Sequence, residues 1–191
     1  MEDKKFDPEL RDKLNNPERL EKLEPGKIWD FINYKNPLQI IDIGAGTGFI
    51  TQALASYAPE ATFEALDIEP VMVEEMEKSL PKNSNIRPLL MERNKIDSPD
   101  ESTDVVVMIN LFHELNKPHK LLREVKRVLK PGGKLLIIDW AKKPEASESG
   151  PPMDHRIDEA TITSLMIEAD FSNILTTDDF TDHVGVIGTK V

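Results

Sequence analysis

Apolar positions along the chain fall in short runs separated by turn residues. Their spacing switches repeatedly between the continuous or alternating pattern of a strand and the 3.6-residue pattern of a helix. Residues 38–43, after Asn36-Pro37, read as the first strand, and the glycine turn that follows passes into a helix over 49–57. Residues 61–66 read as a second strand and 70–80 as a helix with Pro70 in its first turn, where a missing N–H is harmless. Residues 85–90 form a weaker third strand, whereas 104–109 are nearly all β-branched, as expected of a strand buried on both faces. A helix over 118–129 carries Leu121, Leu122, Val125 and Val128 at helical spacing and stops at Lys130-Pro131-Gly132-Gly133. The turn leads into a fifth strand, 134–139; a helix over 158–169 and a closing strand pair, Ile174-Leu175 and 184–189, follow. This alternation predicts an α/β fold with a parallel sheet covered by helices on both faces.

Before the first strand, residues 6–34 predict two helices interrupted at Asn15-Asn16-Pro17 and at Pro25-Gly26. Residues 1–36 are therefore expected to form a helical cap over the mouth of a site at the strand ends, and 37–191 the main domain. Residues 141–153, rich in Pro, Ser, Glu and Gly without periodicity, predict a surface loop on the rim of the sheet.

Composition narrows the partners. A chain of 191 residues with 39% hydrophobic content suits one well-cored domain. With 24 basic and 35 acidic side chains the formal charge is -11, so the surface field repels phosphate backbones and anionic bilayers. No nucleic acid and no stable membrane association are expected; oligomeric state is left open. The charged N-terminus carries no apolar core, and no run approaches the roughly 20 residues a membrane span needs. A cytoplasmic protein is the expectation. Zero cysteines exclude disulfides, cysteine-ligated zinc and thiol nucleophiles. His113, His119, His155 and His183 lack the i, i+4 spacing of a helical zinc site, so no metal is expected.

Gly44, Gly46 and Gly48 follow a strand and open a helix, where missing side chains permit positive φ and close approach of a ligand to the backbone. Phe49 stands where the dinucleotide pattern Gly-x-Gly-x-x-Gly wants its third glycine, which disfavours a pyrophosphate cradle and an NAD-linked oxidoreductase. Asp67 ends the second strand about 20 residues later, where a carboxylate accepts hydrogen bonds from both ribose hydroxyls. Its alternative is an N-cap or first-turn acid for the helix at Pro70. Ile68 is placed either to pack on an adenine face or simply in the core.

Four segments, Ile41-Asp42-Ile43-Gly44-Ala45-Gly46-Thr47-Gly48, Ala65-Leu66-Asp67, Asp104-Val105-Val106 and Val128-Leu129-Lys130-Pro131-Gly132-Gly133-Lys134, resemble in order and spacing the class I S-adenosylmethionine-dependent methyltransferases. The nearest branch is that of the ubiquinone and menaquinone biosynthesis methyltransferases, and the resemblance covers residues 25–191. It implies a Rossmann-like, seven-stranded, mostly parallel sheet with the last strand antiparallel, and S-adenosyl-L-methionine as cofactor. It further implies that Asp42 and the backbone of Gly44, Ala45, Gly46 and Gly48 lie near the methionine moiety, Asp67 on the ribose and Glu92 near the adenine amine. Acidic groups at such a crevice complement a sulfonium and an ammonium; Asp42 could instead only anchor the turn. Glu92 departs from the family pattern, since Met91-Glu92-Arg93 replaces Gly-Asp-Ala, and a pair with Arg93 or a solvated surface position is the alternative.

In an open α/β sheet the second substrate sits beyond the carboxyl ends of the strands. Asn110, counted with the cofactor set, is followed by Leu111, Phe112, His113 and Glu114; Asp139 and Trp140 follow the fifth strand. His113 and Asp139 are the catalytic candidates, as base or acceptor-positioning group, against a backbone-bonded helix-start histidine and a buried acid with a structural partner. A buried carboxylate does need a partner or ligand. Glu114, Trp140, His155 and Arg156 are the acceptor-binding candidates. Arg156 could clamp an acceptor carboxylate or form an ion pair with Asp139 or Glu114. The expected function is methyl transfer from S-adenosylmethionine to a small-molecule acceptor; the competing readings are a non-catalytic cofactor-binding regulator and a methyltransferase of protein side chains.

Overall fold

The structure is a computed structural model that describes residues 13–143 and 150–191. The expected start of the first N-terminal helix, residues 6–12, and the middle of the rim loop, 144–149, lie outside the described residues.

Seven strands form one sheet. They are β1 (Gln39–Ile43), β2 (Thr62–Asp67), β3 (Ile86–Leu90), β4 (Thr103–Ile109), β5 (Leu129–Trp140), β6 (Phe171–Thr177) and β7 (His183–Lys190), in the order β3-β2-β1-β4-β5-β7-β6. β7 runs antiparallel to both β5 and β6, and the other pairings are parallel. The helices are α1 (Glu18–Leu23), α2 (Pro25–Ile32), α3 (Phe49–Ala55), α4 (Pro70–Ser79), α5 (Pro118–Val128) and α6 (Glu159–Glu168).

Successive side chains of a strand point to opposite faces, and the sheet shows it as two apolar layers. Ile40, Phe63, Val105, Val107 and Leu136 pack with residues of α2, α3 and α4 on one face. Ile41, Ile43, Val106, Met108 and Ile137 pack with α5 and α6 on the other. Every residue of β4 is buried, as a central strand covered on both sides requires. The chain leaves β1 toward β2 and later returns to its other side as β4, so the strand order reverses between β1 and β4. A crevice opens beyond the carboxyl ends of such neighbours.

Asp104 ties the opposite end of the sheet together. Its Oδ2 accepts from the N–H groups of Leu38 and Gln39, both at 2.9 Å, and its Oδ1 from Lys130 Nζ at 2.7 Å. Burial opposes the charge, but these bonds outweigh it and hold the carboxyl below its ordinary range.

Two elements differ from expectation. β5 begins at Leu129 and contains Lys130-Pro131-Gly132-Gly133, because both flanks stay paired to β4: the register passes from Thr103↔Leu129 to Val105↔Lys134, with Gly132 at φ +79° in the looped-out segment. β6 is longer than Ile174-Leu175 and is interrupted between Ser172 and Leu175, where Asn173 has φ +49°. It is an edge strand with one face in solvent, so its apolar signal is weak.

Candidate functional site at the carboxyl ends of the strands

The glycine turn is fastened to the end of β2. The N–H groups of Gly44 and Ala45 donate to the Leu66 carbonyl at 2.8 and 3.0 Å, and that of Gly46 donates to Asp67 Oδ2 at 2.9 Å. Gly44 and Gly48 have φ of +73° and +74°, and a Cβ at either would come within 2.9 Å of Leu111 or Met76. No other residue suits those two positions.

Asp67 Oδ1 accepts from the Glu69 N–H at 2.9 Å. Glu69, without a side-chain cap, is the N-cap of α4, so Asp67 stands just outside the helix. Asp67 thus joins the glycine turn to the start of α4 through two backbone N–H groups, at the carboxyl end of β2. Ile68 beside it is half-buried.

Asp42, 3% exposed, points to the face covered by α3 and accepts from Thr51 Oγ1 at 2.6 Å. Burial raises its pKa to about 7; the Thr51 bond lowers it, Asp67 raises it and Arg19 lowers it. The carboxylate thus has a structural anchor and a charge held near its tipping point.

Asn110 directly follows β4 with φ +57°, a conformation non-glycine residues adopt at a cost of about 1–3 kcal/mol. Its Oδ1 is buried without a hydrogen-bond partner among the described residues. An orphaned buried acceptor is expensive, about 1–3 kcal/mol, and here it stands at the end of the strand beside β1, where a ligand would satisfy it.

Across β4 and β5, fully buried Asp139 meets His113. Oδ1 lies 2.7 Å from His113 Nδ1, Oδ2 accepts from the His113 N–H at 3.0 Å, and Oδ1 also accepts from the Trp140 N–H at 2.7 Å. The partner that a buried acid demanded is the histidine ring. Nδ1 is held by the carboxylate, and Nε2 lies 3.8 Å from Glu114 Oε1.

Trp140 stacks on His183, ring centroids 4.3 Å apart, with the Arg156 guanidinium 5.6 Å from its ring and Gly150 packed so closely that a Cβ there would lie 2.8 Å from the indole. Arg156 is buried; Nε donates to the Pro151 carbonyl and Nη1 to that of Ala141, both at 3.0 Å. These bonds fasten residues 150–156 to the end of β5. His155 is half-buried in the same turn.

Glu92 follows the carboxyl end of β3, where the Met91 N–H donates to the Asp67 carbonyl at 2.9 Å; its side chain is 78% exposed and 3.7 Å from Lys95, with which it forms an isolated bridge. The solvated ion pair is therefore the observed arrangement, with Lys95 as a partner.

Two contributors have no individual site role in the sequence reading, where His183 is weighed only as a metal ligand and the segment around Asn15 only as a cap. His183, 2% exposed, has neither ring nitrogen hydrogen-bonded among the described residues, and burial, with Arg19 and Lys22, outweighs Asp139 and Asp182 to lower its pKa to about 4. Only the pairing of β7 with β5 places it opposite Trp140. The second is the segment before α2: Thr47 Oγ1 donates to Asn15 Oδ1 at 2.6 Å, and Leu14 sits 3.0 Å from where a Gly46 Cβ would be.

Among the described residues no three acidic, imidazole or thiol groups converge as metal ligands, and no helix is long and apolar enough to cross a membrane. A surface cavity of about 580 Å³, lined in part by Trp29, Tyr34, Leu38 and Tyr57, lies beyond the amino ends of β1 and β2, away from this cluster.

Residues 41–137 match the family described as methyltransferase domain. A crystal structure of an S-adenosylmethionine-dependent methyltransferase from Aquifex aeolicus is similar over 98% of this chain and 100% of that one, with 32% identity and a TM-score of 0.87. Among curated relatives, a malonyl-[acyl-carrier protein] O-methyltransferase of Halalkalibacterium halodurans is 34% identical over 53% of this chain and 38% of its own length. A ubiquinone/menaquinone biosynthesis C-methyltransferase of Burkholderia multivorans is 34% identical over 58% of this chain and 46% of its own length. A thiol S-methyltransferase of Rattus norvegicus is 32% identical over 64% and 51%. The chain thus spans about two-fifths to half the length of these relatives, and their identities favour no single branch. On the family match and the full-length likeness to the Aquifex protein, the chain belongs to the methyltransferase-domain family, the class I S-adenosylmethionine-dependent methyltransferases.

Proposed function

We propose that the protein transfers a methyl group from S-adenosylmethionine to a small-molecule acceptor, with His113 as the base and Asp139 as the residue that orients it. The 2.7 Å contact between Asp139 and His113 Nδ1 carries the reading, because a buried carboxylate on one ring nitrogen orients the imidazole and stabilises the imidazolium that a base becomes. The glycine turn, Asp67 and the orphaned Asn110 amide would hold the cofactor, which when bound supplies an electrophilic methyl on its sulfonium. Asp42 and Asp67 add the negative field that such a cation needs.

The residues of this chain then have two tasks. Trp140, Glu114 and the fastened 150–156 turn wall the acceptor, aligning it for in-line attack; alignment of this kind is worth roughly 7–11 kcal/mol. His113 removes the proton that leaves the acceptor. Methylation at carbon replaces a hydrogen and so releases a proton, whereas a thiolate or carboxylate has none to lose. The dyad thus supports the quinone-precursor type of acceptor named for the Burkholderia relative over the thiol and carboxyl types.

The test is incubation of the protein with methyl-labelled cofactor and separated small-molecule and protein fractions of a cell extract. Label in the small-molecule fraction, lost with His113→Gln, is expected. Label only in protein transfers the reading to side-chain methylation, and label in neither leaves a cofactor-binding regulator.

A further inference from the structure

Three buried side-chain atoms lack a hydrogen-bond partner among the described residues: Asn110 Oδ1 and both ring nitrogens of His183. All three stand at one end of the sheet, just after β4 and at the start of β7, flanking the Asp139-Trp140 end of β5. Unpaired polar atoms are rare in a folded interior, and their confinement to one region of strand ends marks where ligands belong. Asn110 is accounted for by the cofactor. His183 is not.

His183 pairs with Trp140 across β7 and β5, and side chains alternate between the faces of a strand. It therefore shares the face of Ile138 and Ile187, which pack with residues of α1 and α2, whereas Asp139 lies on the other face with His113. The ring is 2% exposed and stacks on Trp140 with centroids 4.3 Å apart, and the preceding Asp182 is held by Lys22 of α1 at 2.7 Å. A phenyl ring would make the same stack without burying two polar nitrogens, so packing alone gives no reason for an imidazole here.

Burial, helped by Arg19 and Lys22, outweighs Asp139 and Asp182 and keeps the ring neutral, so it brings no positive charge to an anion. A neutral imidazole offers one donor and one acceptor. Its complement is an uncharged group able to give or take a hydrogen bond, and a hydroxyl does either through one oxygen, whichever ring nitrogen carries the hydrogen.

We propose that His183 binds an uncharged hydroxyl on the methyl acceptor and so selects hydroxylated acceptors over carboxylates and bare hydrocarbons. This rests on the methyl-transfer reading above and narrows it, because a site with buried hydrogen-bonding groups rejects an analogue that leaves them unpaired.

Phenol, toluene and benzoate are the probes, titrated onto protein saturated with S-adenosylhomocysteine and carrying isotope-labelled histidine rings for NMR. The signals missing from His183→Phe identify the residue. Phenol is expected to shift the His183 ring nitrogens and to bind about tenfold more tightly than toluene, with no shift from benzoate. His183→Phe should bind phenol and toluene alike, and His183→Gln, which keeps a donor and an acceptor, should retain part of the preference.

His183 signals that phenol leaves unmoved would overturn the assignment, as would equal affinity of the wild type for phenol and toluene. A larger shift with benzoate would show an anion site instead. Equal losses for phenol and toluene in both variants would mark a ring that only packs on Trp140. If the wild type does not bind S-adenosylhomocysteine, the cofactor reading fails and takes this assignment with it. Binding of S-adenosylhomocysteine with an indifferent His183 sinks this assignment alone.

Discussion

Asp139 and His113 are joined twice, side chain to side chain at 2.7 Å and side chain to backbone at 3.0 Å, so the imidazole is fixed in both position and orientation by one fully buried carboxylate. The double contact gives Asp139 the hold on the imidazole that the proposed base, His113, requires. Asp139→Asn replaces an anionic acceptor with an amide that offers only one oxygen, and it should lower methyl transfer by roughly 10²–10⁴-fold. S-adenosylhomocysteine affinity should be unchanged. Label-transfer rates and calorimetry on the same preparation check this, and a variant that lost both together would indicate a collapsed site.

Asp67→Asn should weaken S-adenosylhomocysteine and 5′-methylthioadenosine alike, by about tenfold to a hundredfold, because the bonds at stake go to the ribose that both share. Calorimetric affinities of the variant and the wild type for both ligands, measured side by side, check it.

Asp42 gives a pH dependence. Its folded pKa, raised to about 7 from 3.8, means the folded protein holds a proton between these values that the unfolded chain has released. The stability it contributes is present below pH 3.8 and is lost as pH rises to about 7. A ligand carrying an ammonium favours the ionised form, so cofactor affinity should rise with pH up to about 7 and binding below that pH should release a proton. Calorimetry in buffers of different ionisation enthalpy measures the release, and Asp42→Asn should abolish it.

His183 acts in the opposite sense. Its folded pKa is about 4 against 6.5, so the unfolded state takes up a proton first as pH falls. Stability from this residue is full above pH 6.5 and declines through the window down to about 4. Denaturant unfolding at several pH values should show His183→Phe losing less stability on acidification than the wild type. An NMR titration should find the wild-type ring neutral at pH 5.5, well inside that window.

Local signals carried much of this protein. The fully buried run of β4, the prolines in the first turns of α4 and α5, and the apolar spacing of α5 depend on residues close in the chain, and each element forms where its pattern placed it. The glycine turn is local too, since positive φ is a property of single positions. The antiparallel last strand was implied by the family resemblance and not by the alternation, and the strand order is set by the pairing itself. The weak edge strand β6 and the looped-out Lys130-Pro131-Gly132-Gly133 segment were misjudged in extent because partners on other strands set their limits.

What the sequence determined by itself was therefore the α/β architecture and the family, both written in short-range patterns of hydrophobicity and glycine. It also placed Asn110, His113, Asp139 and Trp140 at strand ends without saying which would touch. Tertiary structure decided that Asp139 meets His113, that Glu92 lies beside Lys95, and that Trp140 stacks on His183. It likewise brought Asn15 to Thr47 of the glycine turn. The reason is physical: a buried charge or an orphaned donor is costly wherever it sits, but which group satisfies it is settled by register and packing between segments far apart in the chain.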